Sequence, residues 1–466
     1  MVSDWSSGLD LFLDLDRSGG LRNGIEHALR EAIRGGRLTR GAILPSSRSL
    51  ARDLGVARGT ISAAYDQLAA EGYLDVRQGT VARVRWLPRH RPSVTYSPEP
   101  TAHPRWDLRP GRPESASFPR KAWARAHHQV MSHAPDEVFG YGDVRGSAEL
   151  RYALTDYLGR ARGVDTDPAR LLVCNGFTQA LTLICGTLRA AGATTLAVED
   201  PSARRYRQLA ETAGLSVVAV PCDEDGLRID LLPRSGASAV LVTPAHQYPL
   251  GVTMSAARRI ALVEWARRHQ ALIIEDDYDG EFRYDRQPVG ALQQLDPECV
   301  IYAGSASKTL APGLRLGWIS SPTALGEALR TVKQHLDRGT SILEQLTFAE
   351  LIATGAFDQH VRRMRASYRR RLDDLRNALA ASRPDLHLAG ISAGLHVLIY
   401  LPERGPSEQQ IQTRAAKLSI GLHTLASYWH SPPEAGAKAI IIGYATPASH
   451  AYHPALSALT HLLAMN

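Results

Sequence analysis

The sequence predicts two domains of different class: a small N-terminal helical module with a β wing, and a large C-terminal α/β body. Three observations predict this division. The chain has 466 residues, several times what one hydrophobic core organises. It carries 54 Lys and Arg against 47 Asp and Glu, and the stretch from Arg17 to Arg89 alone holds 13 arginines against 6 carboxylates. Downstream, the apolar runs LLVCNG, TTLAVED, AVLVTP, ALIIEDD and CVIYAGS alternate with helical stretches such as SAARRIALVEWARRHQ, as in a parallel sheet covered by helices on both faces.

Composition excludes several classes. Hydrophobic residues are 44% and charged residues 22%, and apolar stretches are interrupted before the ~18 residues that a membrane span needs. The start MVSDWSSGLD has no basic n-region or apolar h-region, so a cytoplasmic protein is expected. Cys174, Cys185, Cys222 and Cys299 lack CxxC spacing, which argues for reduced thiols filling core space and against a metal site.

Residues 1–86 are read as the module. Leu21, Ile25, Leu29 and Ile33 share one face of a first helix; Ser47 is expected to cap a second, RSLARDL, which Gly55 ends; RGTISAAYDQLAAEG forms a third. The short turn at Gly55 and Val56 is a helix-turn-helix signal. YLDVRQGTVARVRW reads as two strands around Gln78 and Gly79, a small wing. Such a unit puts the start of its last helix in the major groove of double-stranded DNA. Arg58, Gly59 and Thr60 would face bases, Arg48 a phosphate or base edge, and the wing with Gln78 and Gly79 the neighbouring backbone. Residues 87–105 are proline-dense and lack apolar periodicity, the composition of a semi-rigid linker. Residues 106–466 form the body.

The body contains the strongest chemical motif, SASKTLAPGLRLG from Ser305 to Gly317. Hydroxyls at Ser305 and Ser307 and the guanidinium of Arg315 suit a phosphate, and the amine of Lys308 suits condensation with an aldehyde. Such chemistry needs an electron sink, and a pyridinium ring is one when a carboxylate keeps its nitrogen protonated. ALIIEDDYDGEF supplies Asp276 for the ring nitrogen, with Asp277 as alternate, and Tyr278 for the ring hydroxyl.

These motifs carry resemblances. LPSSRSLARDLGVARGTISAAYDQLAAEGY resembles the winged-helix domain of the GntR regulators, with a shorter wing tip than the family usually carries. From about Asp107 onward the chain resembles the aminotransferase class I fold, fold type I, of pyridoxal-phosphate enzymes. The two in this order resemble the MocR regulators. The resemblance implies pyridoxal 5'-phosphate held by Lys308 as a Schiff base. It places the phosphate on Ser305, Ser307 and Arg315 and at the helix start Gly176, Phe177 and Thr178. Tyr141 in FGYGDVRG matches a tyrosine that reaches the partner subunit's phosphate, which implies a homodimer. A linker of ~20 residues at up to ~3.1 Å each would also permit a domain swap. Tyr248 in TPAHQYPLG stands where the family has a ring-hydroxyl asparagine, with His246 near.

Two positions depart from the transaminase pattern. Ala203 replaces the aromatic residue that stacks on the ring, and Ile441 stands where an arginine clamps the substrate carboxylate, leaving Arg205 as another carboxylate binder. Without that clamp an amino acid loses a charge-assisted anchor. The expectation is a DNA-binding regulator that senses pyridoxal phosphate itself, as in the branch of the family that controls vitamin B6 synthesis. The alternatives are a regulator sensing an amine or amino acid that exchanges with Lys308, and an active aminotransferase with an appended DNA-binding head.

Overall fold

The computed structural model describes residues 20–77, 81–85, 104–284, 289–432 and 437–465. The chain divides into two compact units, Met1–Thr101 and Ala102–Asn466.

The head comprises α1 (Leu21–Arg34), α2 (Ser47–Leu54), α3 (Arg58–Ala70), β1 (Leu74–Asp75) and β2 (Arg83–Val84). Ile25, Leu29 and Ile33 recur every fourth residue along α1 and are buried against Leu50, Ile61 and Leu68, while Leu21 in the open first turn stays exposed. The cap of α2 is Ser46 and not Ser47. Ser46 keeps an extended backbone and its hydroxyl accepts from the Ser49 amide at 3.1 Å, whereas Ser47 is already helical. Gly55 ends α2 in the left-handed conformation. The wing strands pair antiparallel, Leu74 with Val84 and Asp75 with Arg83. Its expected tip, Gln78 and Gly79, lies outside the described residues.

The body runs through β3 (Trp106–Asp107), α4 (Arg120–His133), α5 (Ala148–Arg162), β4 (Leu171–Cys174), α6 (Phe177–Ala190), β5 (Thr195–Asp200), α7 (Arg204–Thr212), β6 (Ser216–Asp223), β7 (Gly226–Leu227), β8 (Ala239–Val242), α8 (Ala256–His269), β9 (Leu272–Asp276), β10 (Val300–Ser305) and β11 (Gly317–Ser320). It continues with α9 (Gly326–Leu336), α10 (Ile342–Ala353), α11 (Ala356–Ser382), β12 (His387–Ala389), β13 (Val397–Tyr400), α12 (Glu408–Lys417), β14 (Ile420–Gly421), β15 (His423–Thr424), β16 (Ala439–Ile442) and α13 (Ser449–Ala464).

The main sheet has the order β4-β11-β10-β9-β8-β5-β6-β7. Its strands β10, β9, β8, β5 and β6 are parallel neighbours, and the inner four, β10, β9, β8 and β5, bury side chains on both faces, which explains their unbroken apolar runs. The sheet is mixed and not purely parallel: β11 runs against both β10 and β4. Residues 306–316 are too few for the roughly dozen that a parallel crossover needs, so the strand must turn back. Lys308 sits in that short return. A second sheet, β12-β13-β16-β15, is antiparallel throughout and shares a core with α11 and α13 through Leu372, Ile399, Ile440 and Leu459.

Candidate functional site

Parallel strands bring their carboxyl ends to one edge of a sheet, where α/β proteins form their crevices. Here that edge gathers Asn175 and Gly176 after β4, the segment from Thr243 to Tyr248 after β8, Asp276 at the end of β9 and Lys308 after β10.

The Lys308 Nζ donates to the Gly111 carbonyl at 2.6 Å. Burial lowers its pKa below the ordinary lysine value, opposed by the carboxylates of Asp276 and Asp279. A larger share of the amine is therefore neutral and nucleophilic near pH 7. Asp276 is buried and its carboxyl is pushed up by burial, while the charge of Lys308 and a hydrogen bond from Tyr206 pull it down. Its Oδ2 has no partner among the described residues. A buried carboxylate oxygen left so is costly, and it fits an N–H supplied by a bound group. Asp277, the alternate, is committed elsewhere: Arg162 donates to it from Nε at 2.7 Å and Nη2 at 3.0 Å, and the Tyr302 hydroxyl at 2.8 Å.

An anion cup lies beside the lysine. Gly176 starts α6 at φ 80° with no side-chain cap, so the first amides of the helix face outward. Arg315 takes a left-handed backbone at φ 52°, and its guanidinium donates to the Asn175 carbonyl and lies against Gly176. Gly317 packs on Gly176 so closely that a Cβ there would meet the Gly176 Cα at 2.7 Å. Arg205 donates to the Thr178 hydroxyl, so two guanidiniums flank one helix start. Ser305 is buried at the end of β10, Ser307 is partly buried in the return before Lys308, and Phe177 is buried in the first turn of α6.

Aromatic groups line the other side. The Tyr278 hydroxyl bonds His246 Nδ1 at 2.9 Å, which Asp279 also meets at 2.9 Å. Tyr248 and Tyr428 share a hydroxyl hydrogen bond at 2.8 Å, and His423 Nδ1 meets Tyr428 at 2.7 Å. Tyr248 also approaches Gly111, the residue that Lys308 contacts. Ile441 is fully buried in β16 among Leu398, Leu425 and Ala439, so no arginine stands at that position. Ala203 caps α7 without ring contacts, whereas Tyr206, one turn on, sets its ring 5.0 Å from that of Phe177.

Residues 21–84 match the family model for bacterial regulatory proteins of the gntR family, and residues 111–420 match that for aminotransferase class I and II. The chain is 33% identical to a probable rhizopine catabolism regulatory protein, MocR, of Rhizobium meliloti, over 93% of this chain and 92% of the relative. The chain is a MocR-type regulator. It is also 33% identical to the pyridoxine biosynthesis transcriptional regulator PdxR of Corynebacterium glutamicum, over 86% of this chain and 87% of that protein. Among solved structures it resembles an archaeal alanine:glyoxylate aminotransferase with TM-score 0.70 and 26% identity, over 76% of this chain and 90% of that one.

As in a MocR-type regulator, the head is a GntR winged helix and the body an aminotransferase fold type I. Of the head residues expected to meet DNA, Arg48 lies in the first turn of α2 and Arg58, Gly59 and Thr60 form the first turn of α3. Arg48, Arg58 and Gly59 are exposed and Thr60 partly so, with Arg58 Nε 3.5 Å from the Ser47 hydroxyl. A Cβ on Gly59 would meet nothing within 4 Å, so internal packing does not demand this glycine. Arg58→Ala is expected to weaken binding to a selected DNA site by roughly 1–3 kcal/mol and relax its base preference in a binding-site selection.

Sequence reasoning missed Gly111, Tyr206, Tyr428, His396 and His423. Only Gly111, within a Pro-Gly pair, and Tyr206, three residues after Ala203, carried a local signal. His396 is buried with Nε2 on the Pro249 carbonyl at 3.1 Å, and burial lowers its pKa to about 3. That pKa is depressed, so its contribution to stability is full above ~6.5, the unfolded value, and is lost as pH falls toward the folded one. Glu199, pushed up to about 7 by burial, acts in the opposite sense. The check is therefore a difference: His396→Gln should lose less stability than the parent between pH 6.5 and 4 in urea unfolding.

Proposed function

We propose that this regulator captures pyridoxal phosphate on Lys308 and reports its level to DNA, in control of vitamin B6 supply, as a cytoplasmic homodimer. The observation that carries the reading is the pairing of an amine whose pKa burial lowers with a buried Asp276 oxygen that has no partner among the described residues, beside a cup built for an anion. Arg315, Ser305, Ser307 and the amides at Gly176, Phe177 and Thr178 would hold the phosphate, and Asp276 would take the ring nitrogen. Tyr278 and Tyr248 would lie by the ring hydroxyl, with Tyr206 as the aromatic neighbour that Ala203 does not supply. When bound, the group supplies an aldehyde for the amine and an electron-withdrawing ring. Tyr141 is 89% exposed in the single chain, as suits a residue that serves a partner subunit.

Ile441 in the core favours sensing over transamination, because an amino acid finds no bidentate carboxylate anchor there. The name of the PdxR relative supports the same reading. One observation favours a second reading: Arg205 and Arg112 both act on Lys308 electrostatically, and either could take the carboxylate of an amino-acid effector. Titration with pyridoxal phosphate, then with a panel of amines and amino acids, while DNA affinity is followed, separates them. A response to pyridoxal phosphate alone supports the first; a response only after an amine is added supports the second.

A further inference from the structure

A cavity of about 430 Å³ opens on the body away from Lys308, between the end of α5, the start of α11 and the turn after β9. Ligand pockets of ~300–1,000 Å³ accept small metabolites. Five arginines line it, Arg160, Arg162, Arg283, Arg362 and Arg365, against two carboxylates, Glu281 and Asp358.

Their bonds show which charges are available. Arg162 is consumed by Asp277, and Arg160 by Asp358 at 3.1 Å. Arg365 uses Nε on the Glu281 carbonyl at 2.8 Å, and among the described residues both its terminal nitrogens are open. Arg362 forms no hydrogen bond or ion pair among the described residues. Arg362 and Arg365 stand three residues apart on α11, hence on one face. Glu281, on the floor, accepts from the Tyr157 hydroxyl at 3.3 Å, and burial with the nearby Asp277 charge pushes its carboxyl well above the usual range.

We propose that this cleft binds a small metabolite bearing phosphate or carboxylate groups, at a site separate from Lys308. The open guanidiniums of Arg362 and Arg365 offer the forked donors that such anions accept. The back wall is the turn that begins at Asp277, next to Asp276. Gly280 packs against the guanidinium of Arg162 and the Asp277 carboxylate, where a Cβ would meet both at 2.2 Å. An occupant of the cleft therefore touches the segment that carries Asp276 and Tyr278.

The test is calorimetric titration of the full chain with inorganic phosphate and, separately, citrate, at ionic strength held constant with chloride. An Arg205→Ala, Arg315→Ala background removes both guanidiniums of the anion cup, and every variant is compared within it. Saturable binding of either probe is expected, weakened about ten-fold or more by Arg362→Ala with Arg365→Ala. Phosphate alone would identify a phosphorylated occupant and citrate alone a polycarboxylate. Arg369→Ala with Arg370→Ala, exposed further along α11, should leave binding within two-fold. The proposal is overturned if neither probe saturates, if the Arg362 and Arg365 variant binds as tightly as its parent, or if the Arg369 and Arg370 variant loses as much.

Discussion

Lys308→Ala protein, mixed with pyridoxal phosphate and reduced with borohydride, gains no cofactor mass in its active-site peptide and develops no visible absorption band. The parent gains both. The expectation rests on where the five lysines lie. Lys333 is fully buried and tied to Asp337 at 3.1 Å; Lys438 donates to the Glu403 carbonyl; Lys121 and Lys417 are exposed on helices. Lys308 alone combines the crevice with an amine that burial shifts toward its neutral form. Loss of the nucleophile leaves only the cup to hold the phosphate, so residual binding should be non-covalent and rapidly reversible. A reduced adduct at another lysine, formed as fast in the variant as at Lys308 in the parent, would remove Lys308 from its proposed role.

Arg162→Ala should destabilise the body by roughly 3–5 kcal/mol, read from urea unfolding. The Arg162 and Asp277 side chains are only 2% and 1% exposed. Removing the guanidinium strands a buried carboxylate whose other side-chain donor among the described residues is Tyr302, and it also frees the Gly280 carbonyl. Most of the loss therefore comes from the charge left behind. Adding Asp277→Asn removes that charge and should recover part of the stability, whereas two independent surface effects would simply add. The same variant should weaken cofactor capture, because Asp277 fixes the backbone next to Asp276. A loss under ~1 kcal/mol would mean that water reaches Asp277 and the pair is not a buried one.

Local signals made much of this legible. The helices of the head follow from the recurrence of Ile25, Leu29 and Ile33 at every fourth residue and from a glycine that takes a left-handed cap. The cap itself was misplaced by one residue, since Ser46 and Ser47 are chemically alike and only backbone conformation separates them. The central strands were legible because burial on both faces leaves continuous apolar runs. The direction of β11 was not, although the short return through Lys308 contains the reason. Within the site, Lys308, Asp276 and Arg315 stood out because motif spacing is local. The choice between Asp276 and Asp277 was hidden, as it depends on Arg162, 115 positions away in sequence from Asp277. His423 lies in the second sheet, with His396 just before β13 and Tyr428 just after β15, and none carries a pattern linking it to the crevice.

The central claim is that occupancy at Lys308 changes DNA binding, which requires that the ligand favour one arrangement of the protein over another. The most direct measurement is the affinity of full-length protein for a DNA site selected from a random pool, as pyridoxal phosphate is titrated, for the parent and for Lys308→Ala. The account predicts an affinity change in the parent that tracks the visible band and is absent in the variant. Equal DNA affinity with and without the cofactor in the parent, or the same response in both proteins, would contradict it.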